Sequence, residues 1–180
     1  AGFTRSDLVV AIGGGTITDA AGFLSATWLR GVDWMAIPTT LAGMVDASLG
    51  GKTGINSEYG KNLIGAFHSP RKVIIDSKWL KTLSSRDIAA GLAEVIKTGF
   101  IGDQSILDLM QNFELERDRN NYELLNELIE KSVTVKAGVV SSDFKESFAR
   151  EVLNYGHTLG HAVERHCKYT LRHGEAVAIG

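Results

Sequence analysis

A single cysteine, Cys167, in 180 residues rules out an internal disulfide and fits a reducing compartment. Basic runs are missing, and a net charge of −2 offers no electrostatic footprint for nucleic acid. No apolar run reaches the roughly 18 residues of a membrane span, and no signal peptide is read ahead of the first strand pattern. A cytoplasmic protein with no nucleic-acid and no membrane partner is expected. Proline is scarce: Pro38 and Pro70 are the only two, and both precede residue 80. The length suffices for one large domain or two small ones.

The pattern that is present changes character near Leu80. Residues 8–12 (LVVAI) read as a short buried strand, followed by Gly13-Gly14-Gly15 and a helical pattern over 16–29. Strand, glycine turn and helix is how open α/β sheets hold phosphate, because glycines admit the ligand to backbone N–H groups at a helix start. The spacing is not G-x-G-x-x-G, and a plain tight turn competes with the phosphate reading. Residues 34–38 (WMAIP) and 72–76 (KVIID) are two more strands. Between them, residues 50–67 read as a flexible Gly-, Lys- and Asn-rich loop carrying Lys52, Lys61 and Asn62. Gly51-Lys52-Thr53 is not a P-loop, because the required glycine five residues earlier is Asp46.

Beyond Leu80 helical periodicity takes over. Ser84 or Ser85 caps a helix with Ile88, Leu92, Val95, Ile96 and Phe100 as its apolar stripe. Glu94 and Lys97 project away from that stripe; an exposed ion pair is the base-rate reading, while small Ala90, Gly91 and Thr98 would admit a close neighbour. Residues 106–113 and 122–139 are amphipathic helices joined by a charged connector. The expected fold is an α/β nucleotide-binding (Rossmann-like) portion, residues 1–79, followed by an all-α metal-binding domain, residues 80–180. The last residues (EAVAIG) read as the start of another helix, so the chain is expected to be a fragment of a longer protein.

The densest chemistry lies in residues 146–175. On a helix at about 100° per residue, Glu146, Arg150, Asn154, His157, His161 and Glu164 share one stripe. Phe148, Val152, Leu159 and Val163 fall opposite, as a core-facing stripe. His157 and His161, four apart, have a spacing used for two ligands on one metal; His173 can return from the next turn, and Glu94 could add a carboxylate. Three N/O ligands with an open position describe a catalytic zinc site. Each histidine taken alone is more often a hydrogen-bonded structural residue.

Taken in order, Gly13-Gly14-Gly15 with Asp19, Arg30-Gly31, Pro38-Thr39-Thr40-Leu41, VDASLGGKTGIN (45–56), GKNLIGAF (60–67), AEVIK (93–97), KES-x-x-R (145–150), LNYGHTLGHAVE (153–164) and HGEAVAIG (173–180) resemble the 3-dehydroquinate synthase family. The resemblance implies conversion of 3-deoxy-D-arabino-heptulosonate 7-phosphate to 3-dehydroquinate and phosphate in the shikimate pathway, with catalytic NAD and a divalent Zn2+ or Co2+. It implies Glu94, His157 and His173 as metal ligands, and gives His161 to the substrate and proton transfer in place of the metal. Asp46, Lys52, Lys97, Glu146, Arg150 and Asn154, with Lys136 less directly, would meet the substrate. Lys52, Asn62, Arg150 and Arg30 would surround the phosphate, Arg30 reaching the neighbouring subunit's site in a homodimer. NAD would rest on Gly13, Gly14, Gly15 and Asp19, near Thr39, Thr40, Leu41 and Lys61. Ala42-Gly43-Met44 stands where the family commonly has Leu-Ala-Gln.

Three other readings are open. Another sugar-phosphate cyclase, of the inosose or valiolone type, shares cofactor, metal and early motifs. A metal-dependent glycerol or alcohol dehydrogenase shares the layout but has no use for Lys52 and Lys61. A non-enzymatic phosphate-binding module with a structural zinc would need a closed fourth ligand, for which Cys167 is the nearby candidate.

Overall fold

The computed structural model describes residues 2–180. Strand β1 (Leu8–Gly13) leads through the glycine turn into helix α1 (Gly15–Thr27), and the chain returns as β2 (Asp33–Pro38). β2 is central in a three-stranded parallel sheet between β1 and the short β5 (Lys72–Val73). β3 (Lys52–Ser57) and β4 (Gly60–Phe67) pair antiparallel as a separate hairpin, with a register irregularity at Ile55–Ser57. The stretch expected as a flexible loop is therefore a hairpin. Glycines and lysines masked its alternation, and the ladder between Lys52 and Phe67 supplies order that local composition does not.

Small residues, not large ones, seat α1. Its buried positions are Thr18, Gly22 and Ser25, while Ile17 and Leu24 are exposed. A Cβ on Gly22 would stand 2.4 Å from Thr53 Cγ2 and 2.8 Å from Trp34 Cζ2, so the glycine lets the helix rest on both β-structures. Only one face of β1 is covered: Ala11 packs with Trp34 and Ala36, whereas Leu8, Val10 and Ile12 are exposed. The buried-strand expectation thus holds for one face. An apolar run signals cover on two sides of a parallel sheet, and within the described residues α1 covers one.

The second half is helical: α2 (Ser85–Gly102), α3 (Gln104–Met110), α4 (Leu115–Asp118), α5 (Tyr122–Ser142), α6 (His157–His166) and α7 (His173–Ile179). Ser84 caps α2 by accepting from Asp87 N–H. Its core joins Leu41, and Met44 and Val45 from a π-helical turn after β2, to Ile88, Leu92 and Val95 of α2 and Leu125, Leu128 and Ile129 of α5. Phe100, expected on the apolar stripe of α2, is exposed. No described helix is long and apolar enough to cross a membrane.

The helix expected across residues 146–165 is broken. Ala149–Asn154 forms a 3-10 turn, and α6 begins at His157, after Gly156 at φ +77°. The left-handed conformation there suits glycine. The stripe predicted to face the core is outside: Phe148, Val152 and Leu159 are exposed, while Arg150, Leu153, His157, Gly160 and Glu164 face inward. Of the polar stripe, Arg150, His157 and Glu164 are buried while Asn154 and His161 are exposed, so buried polar side chains stand where an ordinary amphipathic helix puts apolar ones.

Candidate functional site

Three elements meet at the C-terminal end of the parallel strands. Gly14 caps α1, its carbonyl accepting from Ile17 N–H (2.9 Å) and Thr18 N–H (3.1 Å). Thr39 N–H donates to Gly13 O at 2.9 Å, fixing the end of β2 beside the end of β1. A Cβ on Gly14 would lie 3.0 Å from Thr40 Cγ2, and one on Gly15 3.0 Å from Ala47 Cβ. The glycine turn, Thr39-Thr40 and the π-helical turn Gly43–Ala47 thus form one corner, where open α/β sheets bind ligands. Leu41 is separate: its side chain is wholly in the helical core and can offer a ligand only its backbone.

The π-helical turn delivers Asp46 to a buried charge centre. Lys136 of α5 contacts the Asp46 carboxylate and donates to its carbonyl at 2.6 Å, and Lys97 Nζ lies 3.7 Å from Asp46 Oδ1. Lys97 also contacts Glu94, one helical turn earlier. Glu94 (1% exposed) and Lys97 (4%) are therefore interior residues, not the exposed pair of the base-rate reading. Burial opposes the charge on Asp46, but Lys136 and Lys97 outweigh it and hold the carboxyl well below the usual range. Burial and the neighbouring Asp46 raise Glu94, and the same two causes lift Asp19 to about 7. Burial lowers Lys136, with Asp46 offsetting only part.

α6 and α7 bring the histidines over Glu94. Gly174 makes this possible, because a Cβ there would stand 1.8 Å from Ala90 O on α2. Ion pairs Arg86–Glu175 and Arg172–Asp87 fasten the start of α7 to the start of α2. His173 Nε2 then lies 3.1 Å from His157 Nε2 and 3.4 Å from Glu94 Oε1, with His157 Nε2 3.9 Å from the same oxygen. His157 Nδ1 faces Tyr155 O at 3.2 Å, and His173 Nδ1 faces Glu164 Oε1 at 3.5 Å. Both rings therefore turn Nε2 to a common point. Burial lowers His157 to about 4, with Lys97 adding to the effect, so the ring is neutral at pH 7. His161, His157 and His173 also bring ring nitrogens within 4.8 Å of one another. Geometry thus accommodates both ligand sets read from the sequence.

These residues fit a divalent metal. Glu94 Oε1 is buried and makes no hydrogen bond among the described residues. A buried carboxylate oxygen without a donor is costly; beside two imidazole nitrogens it is a ligand set of the N/O type that zinc takes.

The remaining candidates lie on several elements. Glu146, at φ +58°, contacts Lys52 and accepts from Asn154 Nδ2 at 3.2 Å. Burial opposes its charge, but Lys52 and Asn154 outweigh it and lower the carboxyl. Arg150 is 2% exposed and donates through Nη1 to Gly50 O (3.1 Å) and Phe144 O (2.7 Å). Lys61 on β4 pairs with Glu164 at 2.8 Å and lies 4.6 Å from the Tyr169 ring centroid. Asn62, at φ +54°, is exposed, its N–H donating to Asn56 Oδ1 at 3.1 Å. Arg30 is exposed at the turn ending α1 and makes no ion pair or side-chain hydrogen bond among the described residues. Sequence reasoning assigned no role to Asp143, whose carboxylate accepts from Ser147, Phe148 and Arg150 N–H and shapes the turn carrying Glu146. Glu164 was visible on the polar stripe but received no role either.

The family model for the 3-dehydroquinate synthase N-terminal region matches residues 1–90, and that for the C-terminal region matches 91–180. The 3-dehydroquinate synthase of Paenarthrobacter aurescens (strain TC1) is 56% identical over 179 residues, covering 99% of this chain and 49% of that protein. Among solved structures, the 2-epi-5-epi-valiolone synthase of Streptomyces hygroscopicus subsp. jinggangensis 5008, with NAD+ and Zn2+ bound, is similar with a TM-score of 0.91. It is 32% identical, with 98% of this chain and 50% of that one covered. A 2-deoxy-scyllo-inosose synthase complexed with carbaglucose-6-phosphate, NAD+ and Co2+ has a TM-score of 0.86 at 32% identity, covering 99% and 48% of the two chains. The chain spans about half the length of the curated relatives it matches.

Proposed function

The chain belongs to the 3-dehydroquinate synthase family, and we propose that it carries the metal and substrate centre of an enzyme converting 3-deoxy-D-arabino-heptulosonate 7-phosphate to 3-dehydroquinate and phosphate. The observation that carries this reading is the convergence of Glu94 Oε1, His157 Nε2 and His173 Nε2, within 3.1–3.9 Å of one another, above Asp46 and Lys97. These three residues would hold Zn2+ or Co2+, the ions bound in the two cyclase structures. When bound, the metal would acidify a substrate hydroxyl, and NAD would take up and return a hydride.

The chain's own residues would do the rest. Lys97 and Lys136, neutralised by Asp46 and Glu94 in the absence of substrate, would donate to substrate hydroxyls and oxygens that gain charge. His161, exposed on the same face of α6, would move a proton between substrate and water. Lys52, Asn62 and Arg150 would hold the phosphate, and Glu146 and Asn154 the hydroxyls. Phosphate leaves with the proton beside the newly formed ketone, so fixing its geometry shortens the path to elimination. Gly13 to Gly15 at the start of α1, with Asp19, Thr39, Thr40, the Leu41 backbone and Lys61, would receive NAD. The same reading makes residues 1–79 the nucleotide part and 80–180 the metal part, in a homodimer whose Arg30 reaches the neighbouring subunit's site.

A cyclase for another sugar phosphate would use the same metal and cofactor residues. Glu146, Arg150 and Asn154 as one set, with the cation for a carboxylate and the other two for hydroxyls, favour the carboxylate-bearing substrate. The test is phosphate release by the full-length protein with NAD+ and Zn2+ or Co2+. Metal- and NAD-dependent release from the heptulosonate phosphate, with a carbocyclic product, supports the reading; turnover of sedoheptulose 7-phosphate or glucose 6-phosphate instead would overturn it.

A further inference from the structure

Glu164 is the one nearly inaccessible carboxylate on the polar face of α6, 2% exposed, and nothing in the proposed chemistry uses it. Its Oε1 lies 2.8 Å from Lys61 Nζ on the hairpin and 3.5 Å from His173 Nδ1 on α7. It therefore stands behind His173, on the side of the ring away from Glu94 and His157, whose atoms face Nε2. We infer that Glu164 is a positioning residue for the metal: it takes the Nδ1–H of His173, fixes that tautomer and presents the Nε2 lone pair to the ion.

The inference rests on the metal reading above, and three features of the fold carry it further. First, His157 has a backbone carbonyl, Tyr155 O, in the corresponding place behind Nδ1. Each histidine thus has its own acceptor, and Glu164 supplies the one α7 lacks. An imidazole whose second nitrogen donates to a carboxylate is both oriented and made more basic as a ligand. Second, Lys61 pairs with the same Oε1, and Tyr169 lies against the ammonium, its ring centroid 4.6 Å away. The lysine offsets the charge that burial would otherwise penalise. Third, Lys61 belongs to β4, Glu164 to α6 and His173 to α7, so one oxygen ties the hairpin to both histidine-bearing helices. An ordinary ion pair at a helix surface would not need a carboxylate so far out of solvent.

The test uses the full-length protein stripped of metal and titrated with Co2+ against a chelator, following visible d–d absorption. Glu164→Ala is expected to weaken Co2+ binding by about 10–100-fold and to alter the spectrum of the loaded site, as for other partners behind a metal-bound histidine. Glu164→Gln keeps the side-chain shape and an acceptor oxygen, so it should recover part of the affinity. Thermal unfolding of each metal-free variant separates this role from simple packing: metal-free Glu164→Gln should melt near the unsubstituted protein while its Co2+ spectrum remains shifted. Unchanged affinity and spectrum in Glu164→Ala would overturn the inference while leaving the metal site standing. If the unsubstituted protein binds no Co2+, or if His157→Ala binds it as well, the metal reading itself is wrong.

Discussion

Gly174 Cα packs against the carbonyl of Ala90 so closely that an added Cβ would stand 1.8 Å from that oxygen, with backbone on both sides. This contact sets how near α7 comes to α2, and hence whether His173 meets Glu94. Gly174→Ala must push the helices apart. A stability loss of about 1–3 kcal/mol is expected from overpacking, together with weaker metal binding. Thermal melts and metal stoichiometry check both; a variant that keeps full metal content and stability would show that α7 can be displaced without consequence.

Removal of His157 should empty the centre. His157→Ala takes away a nearly buried, neutral nitrogen 3.1 Å from His173 Nε2. Bound metal and turnover should vanish together in the full-length protein, as read by elemental analysis and phosphate release. Stoichiometric metal after the substitution would sink the assignment of His157 as a ligand and the metal reading with it.

Arg150 should respond differently. Its guanidinium reaches Gly50 O and Phe144 O from one nitrogen, an arrangement that fixes the loop before β3. Arg150→Lys keeps the charge but loses the planar fork. Turnover should fall by at least about tenfold, corresponding to roughly 1.4 kcal/mol or more, while metal stoichiometry and NAD affinity are retained. Equilibrium NAD titration beside steady-state kinetics separates these quantities.

Asp19 gives the chain a pH dependence of known sign. Burial and Asp46 hold its proton up to about pH 7, whereas an unfolded-chain aspartate releases it near 4. Between those values the folded chain binds the proton and the unfolded chain does not, so this group lowers stability as pH rises. Asp19→Asn should raise the melting temperature more at pH 8 than at pH 4. An advantage that is the same at both pH values would contradict the raised carboxyl.

The sequence by itself settled the kinds of chemistry and their order along the chain. The glycine turn after an apolar strand, the capped α2 and the four-residue spacing of His157 and His161 can be read locally, because periodicity and motif spacing are local properties; Glu94 and His173 as partners of His157 are what the family resemblance implies. Tertiary structure decided which of those residues face inward. Glu94 and Lys97 looked like an exposed pair until α7, admitted by Gly174 against Ala90, closed over them. The residues from 146 to 165 wrapped neatly onto one helix, yet Gly156 at φ +77° ends that continuity and resets the direction of α6. The apolar residues opposite the polar stripe were assigned to the core because hydrophobic residues usually face it; here the buried neighbours are ionic and they claim the polar side. The hairpin escaped notice for a related reason. Its strands pair across the two residues Glu58-Tyr59, and that turn lacks the Asn-Gly or Asp-Gly signal while glycines and lysines blur the alternation on either side.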